Sequence, residues 1–191
     1  MQEPLPEGGA IRKLWLGETE AYRDHLLRLD RESRARRFSG AVSDEFIARH
    51  AASARDLGVV VHGFFVDGTL RGAAELRPYG AGFAREGEAA FSIEQPWQSQ
   101  GVGSALLERT LLSARNRGIK SLHMHCLADN KRMQLLARKF EADLHFDFGS
   151  VVGDVDPPRS TFLSLMREAM ADAHGVASSI LDAQSRLFRA A

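Results

Sequence analysis

A loop with two glycines, Gln98-Ser99-Gln100-Gly101-Val102-Gly103-Ser104, most constrains how this chain can fold. It joins an apolar run, Ala89 to Ile93, to a segment with helical spacing of apolar residues, Ala105 to Ala114. A strand that turns through glycines into a helix leaves several backbone N–H groups without partners at the helix N-terminus, where the helix dipole adds partial positive charge. The loop therefore predicts a cradle for a phosphate group.

The motif does not match two common phosphate-binding loops. A P-loop needs a Lys-Ser or Lys-Thr pair after its second glycine, and a dinucleotide fingerprint needs three glycines near the first strand. Instead, the spacing Gln98-x-x-Gly101-x-Gly103, with a strand over Glu88 to Glu94 before it and Leu106-Leu107 after it, resembles the acyl-CoA pyrophosphate loop of the GCN5-related N-acetyltransferase (GNAT) family. The resemblance implies that acetyl-CoA is the acyl donor and that its pyrophosphate is bound by the loop, namely by Gln98, Ser99, Gln100, Gly101, Val102, Gly103 and Ser104.

The order of predicted elements extends this resemblance over roughly Ile11 to Met166. The patterns predict a strand, two helices, three antiparallel strands with an Asp67-Gly68 hairpin turn, a helix, a strand, a helix and two final strands. We place those final strands at Leu144 to Val152 and Thr161 to Met166. The predicted fold class is α/β (α+β): a GNAT fold whose mixed, mostly antiparallel twisted sheet of about six to seven strands is flanked by helices.

Residues 1–166 are predicted to form the acetyltransferase domain, and residues 167–191 a C-terminal helical extension that the family core does not need. The extension has apolar residues at helical spacing, broken at Gly175, which predicts two short helices. Its apolar side needs a cover, which is either the sheet of the same domain or a second subunit in a homodimer.

Composition limits the class of protein. The chain has 191 residues with 44% apolar content, enough for one core, and its 25 basic residues balance 25 acidic ones, so neither a nucleic acid nor a membrane is predicted as a partner. The single cysteine, Cys126, excludes an intrachain disulfide, and we expect a cytoplasmic protein. His123 and His125 with Asp129 could suggest a metal site, but two alternating histidines without a matching third ligand predict none.

Acyl transfer from a CoA thioester to an amine needs a base for the ammonium, donors for the oxyanion and a proton for the departing thiolate. Several GNAT enzymes have a glutamate base on the strand before the loop, and Glu88 matches that position, with Glu94 as the second candidate. Both could equally be ordinary surface carboxylates. The resemblance also implies that the backbone N–H groups of Phe91, Ser92 and Ile93 bind the oxyanion, freed by a bulge that separates their strand from the next.

The proton donor for the thiolate is less clear from the sequence. Asn130 matches a family asparagine that precedes the usual tyrosine acid, and we expect it at the cofactor site, but the tyrosine position holds Ala137. His125 and Ser92 are substitute candidates, and solvent is a third because a thiol with a pKa near about 8.5 is a tolerable leaving group. No serine or cysteine has a recognisable activating partner in the sequence, which predicts direct transfer without a covalent intermediate.

The predicted activity is therefore acetyl-CoA-dependent acetylation of a primary amine. The segment Leu29 to Phe38, together with Ala89 to Glu94 and Trp97-Gln98, looks like the acyltransferase domain of bacterial protein-lysine acetyltransferases, although Gln100 stands where these usually have arginine. This resemblance implies a protein lysine as acceptor. A small-molecule amine is the alternative acceptor, and a non-catalytic acyl-CoA-binding sensor is the alternative function, favoured by the missing tyrosine.

Overall fold

The computed structural model describes residues 5–80, 86–147 and 149–189 of the chain. In the described part, seven strands form one sheet in the order β1-β2-β3-β4-β5-β7-β6. The strands are β1 (Gly9–Lys13), β2 (Val60–Val66), β3 (Thr69–Tyr79), β4 (Glu86–Ile93), β5 (Ser121–Leu127), β6 (Asp143–Asp147) and β7 (Ser150–Val155). The helices are α1 (Thr19–Arg28), α2 (Arg31–Phe38), α3 (Asp44–Ala52), α4 (Val102–Asn116), α5 (Lys131–Lys139) and α6 (Phe162–Arg189). Only β4 and β5 run parallel within this sheet, so the predicted mixed, mostly antiparallel GNAT fold is confirmed.

Helices cover both faces of the sheet. On one face, α1 and α3 bury Tyr22, Leu26 and Ile47 against β2 and β3. On the other face, α4 and α5 pack on the sheet through residues such as Leu107 and Ala137. Alternate residues of each strand therefore point to different helices, which places the side chains of one strand into two distinct environments.

Three helices, rather than the predicted two, lie between β1 and β2. The additional helix is α2, which begins directly after α1 and is rich in arginine. Leu29 leaves the helical conformation with ψ 136°, and Asp30 then caps a new helix by accepting a hydrogen bond of 2.9 Å from the Ser33 N–H. Ser43 caps α3, since its hydroxyl accepts from the Phe46 N–H at 3.2 Å.

The single strand predicted over Leu144 to Val152 is wrong, because this stretch is the β6–β7 hairpin. Its two strands pair antiparallel, and Gly149 supplies the positive φ of 92° that the turn requires. β3 extends to Tyr79 and β4 begins at Glu86, two residues before the predicted start at Glu88, while residues 81–85 lie outside the described residues.

The strand predicted over Thr161 to Met166 is wrong as well, because α6 begins there. Thr161 and Ser164 cap each other, with the Ser164 hydroxyl accepting from the Thr161 N–H at 2.9 Å and the Thr161 hydroxyl accepting from the Ser164 N–H at 3.2 Å. A short, largely apolar segment after such a cap fits a helix as well as a strand, and periodicity alone cannot separate the two.

The helix break predicted at Gly175 is wrong too, since α6 continues through it. A Cβ at this position would lie 2.6 Å from the Cβ of Arg12, so the glycine lets α6 approach β1 closely. Within the described residues no helix, α6 included, is long and apolar enough to cross a membrane.

Candidate active site

A gap opens in the middle of the sheet where β4 and β5 part. The parallel ladder between them contains only three residue pairs and ends at Glu88 opposite His123. Beyond this point β4 remains paired with β3 up to Ile93, and β5 remains paired with β7 up to Leu127. The register of β3 with β4 contains no shift over its described length, so the bulge predicted in β4 is wrong and divergence of the two strands opens the gap instead. Backbone groups of residues 89–93 on the β5 side are thereby left without a strand partner.

A cavity of about 400 Å³ occupies this gap. It is lined by most of the residues predicted for the cofactor site: Phe91, Ser92, Ile93, Gln98, Ser99, Gly101, Gly103, Ser104 and Asn130. His125, a candidate acid, lines it too. The side chains of the remaining predicted residues do not, since Gln100 points outward to bond Pro96 and Val102 is buried in the core. The structure therefore brings the loop and the strand before it together around one cleft.

The cradle itself is the N-terminus of α4. Gly101 caps the helix in the left-handed conformation, with φ 78°, and the first helical hydrogen bond runs from the Ala105 N–H to the Gly101 carbonyl. The three N–H groups between them, those of residues 102–104, have no acceptor within the helix and point towards its N-terminal end. A Cβ at Gly103 would meet Leu136 at 3.5 Å and Ile93 at 3.6 Å, ordinary contact distances, so packing alone does not require glycine there. The small residue leaves room for a ligand.

Gln98 and two basic residues of α5 shape the loop. The Gln98 amide donates to the Ile93 carbonyl at 2.8 Å and to the Ser33 hydroxyl at 3.1 Å, and its oxygen accepts a hydrogen bond from Arg132. Lys139 donates to the Ser104 hydroxyl at 3.1 Å. Arg132 and Lys139 thus bring positive charge to the predicted phosphate site. Sequence analysis missed both residues, although their position on the helix after Asn130 was a usable signal.

The opposite wall of the cleft is formed by α2, whose Arg37 is anchored in the interior. The Arg37 guanidinium donates to Glu75 at 2.8 Å, and the same carboxylate accepts from Tyr22 and His50, each at 2.7 Å. Burial alone would raise the pKa of Glu75, but the hydrogen bond from His50 and the charge of Arg37 hold it well below its ordinary value. This network ties α1, α2 and α3 to β3 and fixes the position of Arg37 at the cleft.

The two candidate bases have different surroundings. Glu94 is buried and bonded to Arg28 at 2.9 Å and to Arg71 at 3.0 Å, with the His25 ring at 3.2 Å. Burial raises the pKa of Glu94, but the hydrogen bonds from His25 and Arg71 and the charge of Arg28 outweigh it, so the pKa lies below its ordinary value. Glu88 is exposed and lies where β4 and β5 part. This geometry favours Glu88 over Glu94 as the base for an incoming amine.

Ser92 has a hydrogen-bonding partner that the sequence did not reveal. Its hydroxyl lies 2.9 Å from Nε2 of His25, a fully buried residue of α1. The premise that no serine has an activating partner is therefore wrong for Ser92. A histidine among the apolar residues Tyr22 and Leu26 gave no signal in the sequence, because the pairing depends on how α1 lies on β4.

The residue that protonates the departing thiolate is not the tyrosine that commonly does so in similar enzymes. Ala137 is buried in the core at the position where the tyrosine was expected. Asn130 caps α5, because its side-chain oxygen accepts from the Met133 N–H at 3.2 Å, and the residue lines the cavity. Glu141 takes the left-handed conformation after this helix, with φ 59°.

Comparison with known proteins agrees with this geometry. The model of the acetyltransferase (GNAT) family matches residues 13–141. The GNAT domain of PAT from S. lividans is similar in structure with a TM-score of 0.65 and 24% identity, covering 76% of this chain and 89% of that one. For yncA, a putative acetyltransferase from Salmonella typhimurium with its cofactor acetyl-CoA, the TM-score is 0.60 at 16% identity over 81% of this chain and 97% of that one.

RimL, a ribosomal L7/L12 alpha-N-protein acetyltransferase in complex with coenzyme A, is also similar, with a TM-score of 0.57 and 16% identity over 81% of this chain and 97% of that one. These three structures share the fold described above. The family model covers more than half of the chain, from β1 to the end of α5. The chain therefore belongs to the GNAT acetyltransferase family.

Proposed function

We propose that this protein transfers an acetyl group from acetyl-CoA to a primary amine. The observation that carries the proposal is the gap between β4 and β5, which leads directly to the N-terminus of α4. An extended pantetheine arm in the gap would bond to the backbone groups that β4 no longer shares with β5, while its diphosphate would meet the cradle N–H groups. The similar structures that contain acetyl-CoA or coenzyme A support this choice of ligand.

Two sets of groups on β4 would catalyse the transfer: backbone N–H groups and the Glu88 carboxylate. Backbone N–H groups of Phe91 and Ile93 would bind the oxygen that becomes negative when the amine attacks the thioester. The Ser92 N–H, predicted as a third donor, points to β3 instead, because Glu94 N–H bonds to the Arg71 carbonyl in the same register. Glu88 would take the proton of the ammonium, since it is exposed and lies on the same face of β4 as Ser92. His125 at the cleft, or solvent, would return a proton to the departing thiolate.

The surroundings of Glu88 favour a cationic acceptor. His123, its neighbour across the ladder, bonds to Asp154 at 2.6 Å and to Glu86 at 3.1 Å. Three carboxylates thus gather around one histidine on this part of the sheet, and they attract an ammonium group. A protein lysine is the proposed acceptor, because α2 and β4 resemble the protein-lysine acetyltransferases in sequence. A small-molecule amine is the alternative, and a cytoplasmic location belongs to the same proposal.

One observation favours a non-catalytic role as acyl-CoA sensor. Ala137 stands where a side-chain acid is expected, and a buried alanine methyl cannot donate a proton. A sensor would bind acetyl-CoA in the same cleft without releasing the thiol.

Thiol release from acetyl-CoA separates the two functions. The assay uses lysine peptides, a polyamine, an aminoglycoside and free amino acids, with the mass of each product measured. Amine-dependent release with a product that is heavier by one acetyl group supports the transferase. Tight acetyl-CoA binding without release for any amine would contradict it and favour the sensor.

The contact of Ser92 with His25 bears on whether the acetyl group passes directly from CoA to the amine. Direct transfer was predicted because no serine had an activating partner, and the contact of Ser92 with His25 removes that reason. Amine acetylation itself is compatible with either a direct or a covalent route.

A further inference from the structure

The C-terminal helix α6 turns a polar side to its own domain and an apolar side to solvent. On the domain side, Ser164 and Glu168 are buried, and the Ser164 hydroxyl donates to the Asn116 side chain at 2.6 Å. Asp172, one turn further along the helix, is ion-paired with Lys13 at 2.7 Å. Polar groups therefore hold the helix on the domain. This distribution is the reverse of that of a helix that only covers a hydrophobic core.

The solvent side of α6 carries a continuous apolar stripe. Six exposed residues form it, and all of them are apolar: Leu163, Met166, Met170, Ala173, Ala177 and Ile180. The four large side chains of this α6 stripe are between 43% and 67% exposed. Phe162 and Leu165, which are exposed too, widen the stripe near the start of the helix. An apolar surface of this kind on a folded domain marks an interaction site.

The spacing of the α6 stripe indicates that its partner is another helix. Successive members are three, four, three, four and three residues apart. This alternation repeats every seven residues, which is the seam of a two-stranded coiled coil and is narrower than the face that a helix packs on a sheet. Because an unpaired charge buried against the stripe would be costly, the partner helix must be apolar along its own seam.

A second copy of α6 meets this requirement when the two helices run antiparallel. With a two-fold axis between residues 171 and 172, the facing pairs follow from the numbering: Leu163 faces Ile180 of the partner subunit, Met166 faces Ala177 of the partner subunit, and Met170 faces Ala173 of the partner subunit. Each flexible methionine then fills the space beside a small alanine. Parallel helices would instead place methionine against methionine and alanine against alanine, which alternates crowded layers with empty ones.

We propose that the protein forms a symmetric dimer in which the α6 stripes of two copies pair antiparallel. Such an interface uses the same surface of both copies, so one two-fold axis closes it and no third copy is added. The other side of each α6 stays bonded to its own domain through Glu168 and Asp172, so pairing requires no rearrangement of either domain. The inference is independent of the acetyl-CoA site, because the residues that line the cleft all precede α6 in the chain.

Light scattering over a range of protein concentrations tests the dimer. The wild-type chain should have the mass of two copies. Met170→Glu should have the mass of one copy at concentrations at which the wild type is dimeric, because the two introduced carboxylates lie close to the two-fold axis. We expect dimerisation to weaken at least about a hundredfold.

Leu57→Glu is the matched control for this variant. It introduces the same charge at a fully exposed leucine outside α6, and it should remain dimeric. Circular dichroism should show both variants folded, because Met170 is itself two thirds exposed on its own domain.

Disulfide cross-linking tests the direction of the two helices. Leu163→Cys and Ile180→Cys are prepared separately, and oxidised glutathione is added to each variant alone and to their mixture. In the antiparallel dimer the two different cysteines face each other. Two copies of one variant have their cysteines about 26 Å apart along the helices, which is too far for a disulfide. We therefore expect a cross-linked dimer in the mixture only, and the wild type measures any contribution of the buried Cys126.

Three results would overturn the proposal. A wild-type chain that is monomeric at every concentration would assign the α6 stripe to a different partner. A Met170→Glu variant that dimerises as strongly as the wild type would place the interface elsewhere. Cross-linking of each cysteine variant with itself, and not in the mixture, would show parallel helices and contradict the facing pairs.

Discussion

One buried carboxylate, that of Glu168, helps to hold α6 on the domain. It accepts hydrogen bonds from Ser113 and Asn116, each at 2.7 Å, and from Arg117 at 2.9 Å. Burial would raise the pKa of Glu168, but these three hydrogen bonds and the charge of Arg117 lower it from 4.5 to about 2. A carboxyl with a depressed pKa adds stability that is complete above its ordinary pKa and is lost as the pH falls towards the folded value.

The shift sets the expected magnitude. At about 1.4 kcal/mol for each pKa unit, the shift corresponds to about 3 kcal/mol at pH 7, and partial solvent screening reduces this to about 2 kcal/mol. Glu168→Gln should therefore lower the melting temperature at pH 7 by about 4–8 °C for a domain of this size. At pH 4 the difference between the two proteins should shrink by about 1 kcal/mol, because the unfolded wild-type chain then binds a proton at this position.

Thermal unfolding at pH 7 measures the change in melting temperature, and urea unfolding at pH 7 and pH 4 measures the difference in free energy of unfolding at each pH. Asp172→Asn is the matched control on the same helix, because Asp172 bonds to Lys13 at 2.7 Å and to Arg109 at 3.2 Å but is one third exposed. Its loss should cost less than about 1 kcal/mol. An effect of Glu168→Gln no larger than that of Asp172→Asn, or one that does not shrink at pH 4, would refute this account of how α6 is held.

Three further predictions concern the cleft and the C-terminal helix. Gly103→Asp should reduce acetyl-CoA affinity by at least about tenfold in calorimetry, because it adds negative charge at the cradle, while the melting temperature stays near that of Gly103→Ala. Glu88→Gln should lower amine-dependent turnover by about a hundredfold with acetyl-CoA binding intact, and an unchanged turnover would exclude Glu88 as the base. Truncation after Met166 should lower the melting temperature or cause aggregation, whereas a folded monomer from a dimeric full-length protein in light scattering would show that α6 is an interface between subunits.

The sequence predicted the part of the fold that local patterns determine. The glycine loop, the Asp67-Gly68 turn and the period-two strand around His123 each contain their structural reason within a few residues. The predictions failed where contacts between residues far apart in the chain determine the secondary structure. The run after Thr161 fits strand and helix equally, and only its packing on β1 and α4 selects the helix. A glycine within a helical pattern predicts a break, but Gly175 lies so close to Arg12 that only glycine fits there, and the helix continues through it.

The candidate site shows the same division. The loop residues and the strand before them were predicted because one motif contains them. His25 and Arg37 could not be predicted, since their place at the cleft follows from how α1 and α2 lie on β4, about 60 residues later in the chain. Glu94 was predicted as a base because of its residue type, and its partners Arg28 and Arg71, which belong to other elements, reveal its ion-paired surroundings.

Hydrogen–deuterium exchange with and without acetyl-CoA tests most directly the claim that the gap between β4 and β5 holds the acyl donor. The account predicts that acetyl-CoA slows amide exchange in residues 89–93 and 98–104, where the pantetheine arm and the diphosphate would bond to the backbone. The β6–β7 hairpin should serve as an internal control with little change. Protection confined to other parts of the chain, or binding that leaves both segments unprotected, would contradict the assignment of this cleft.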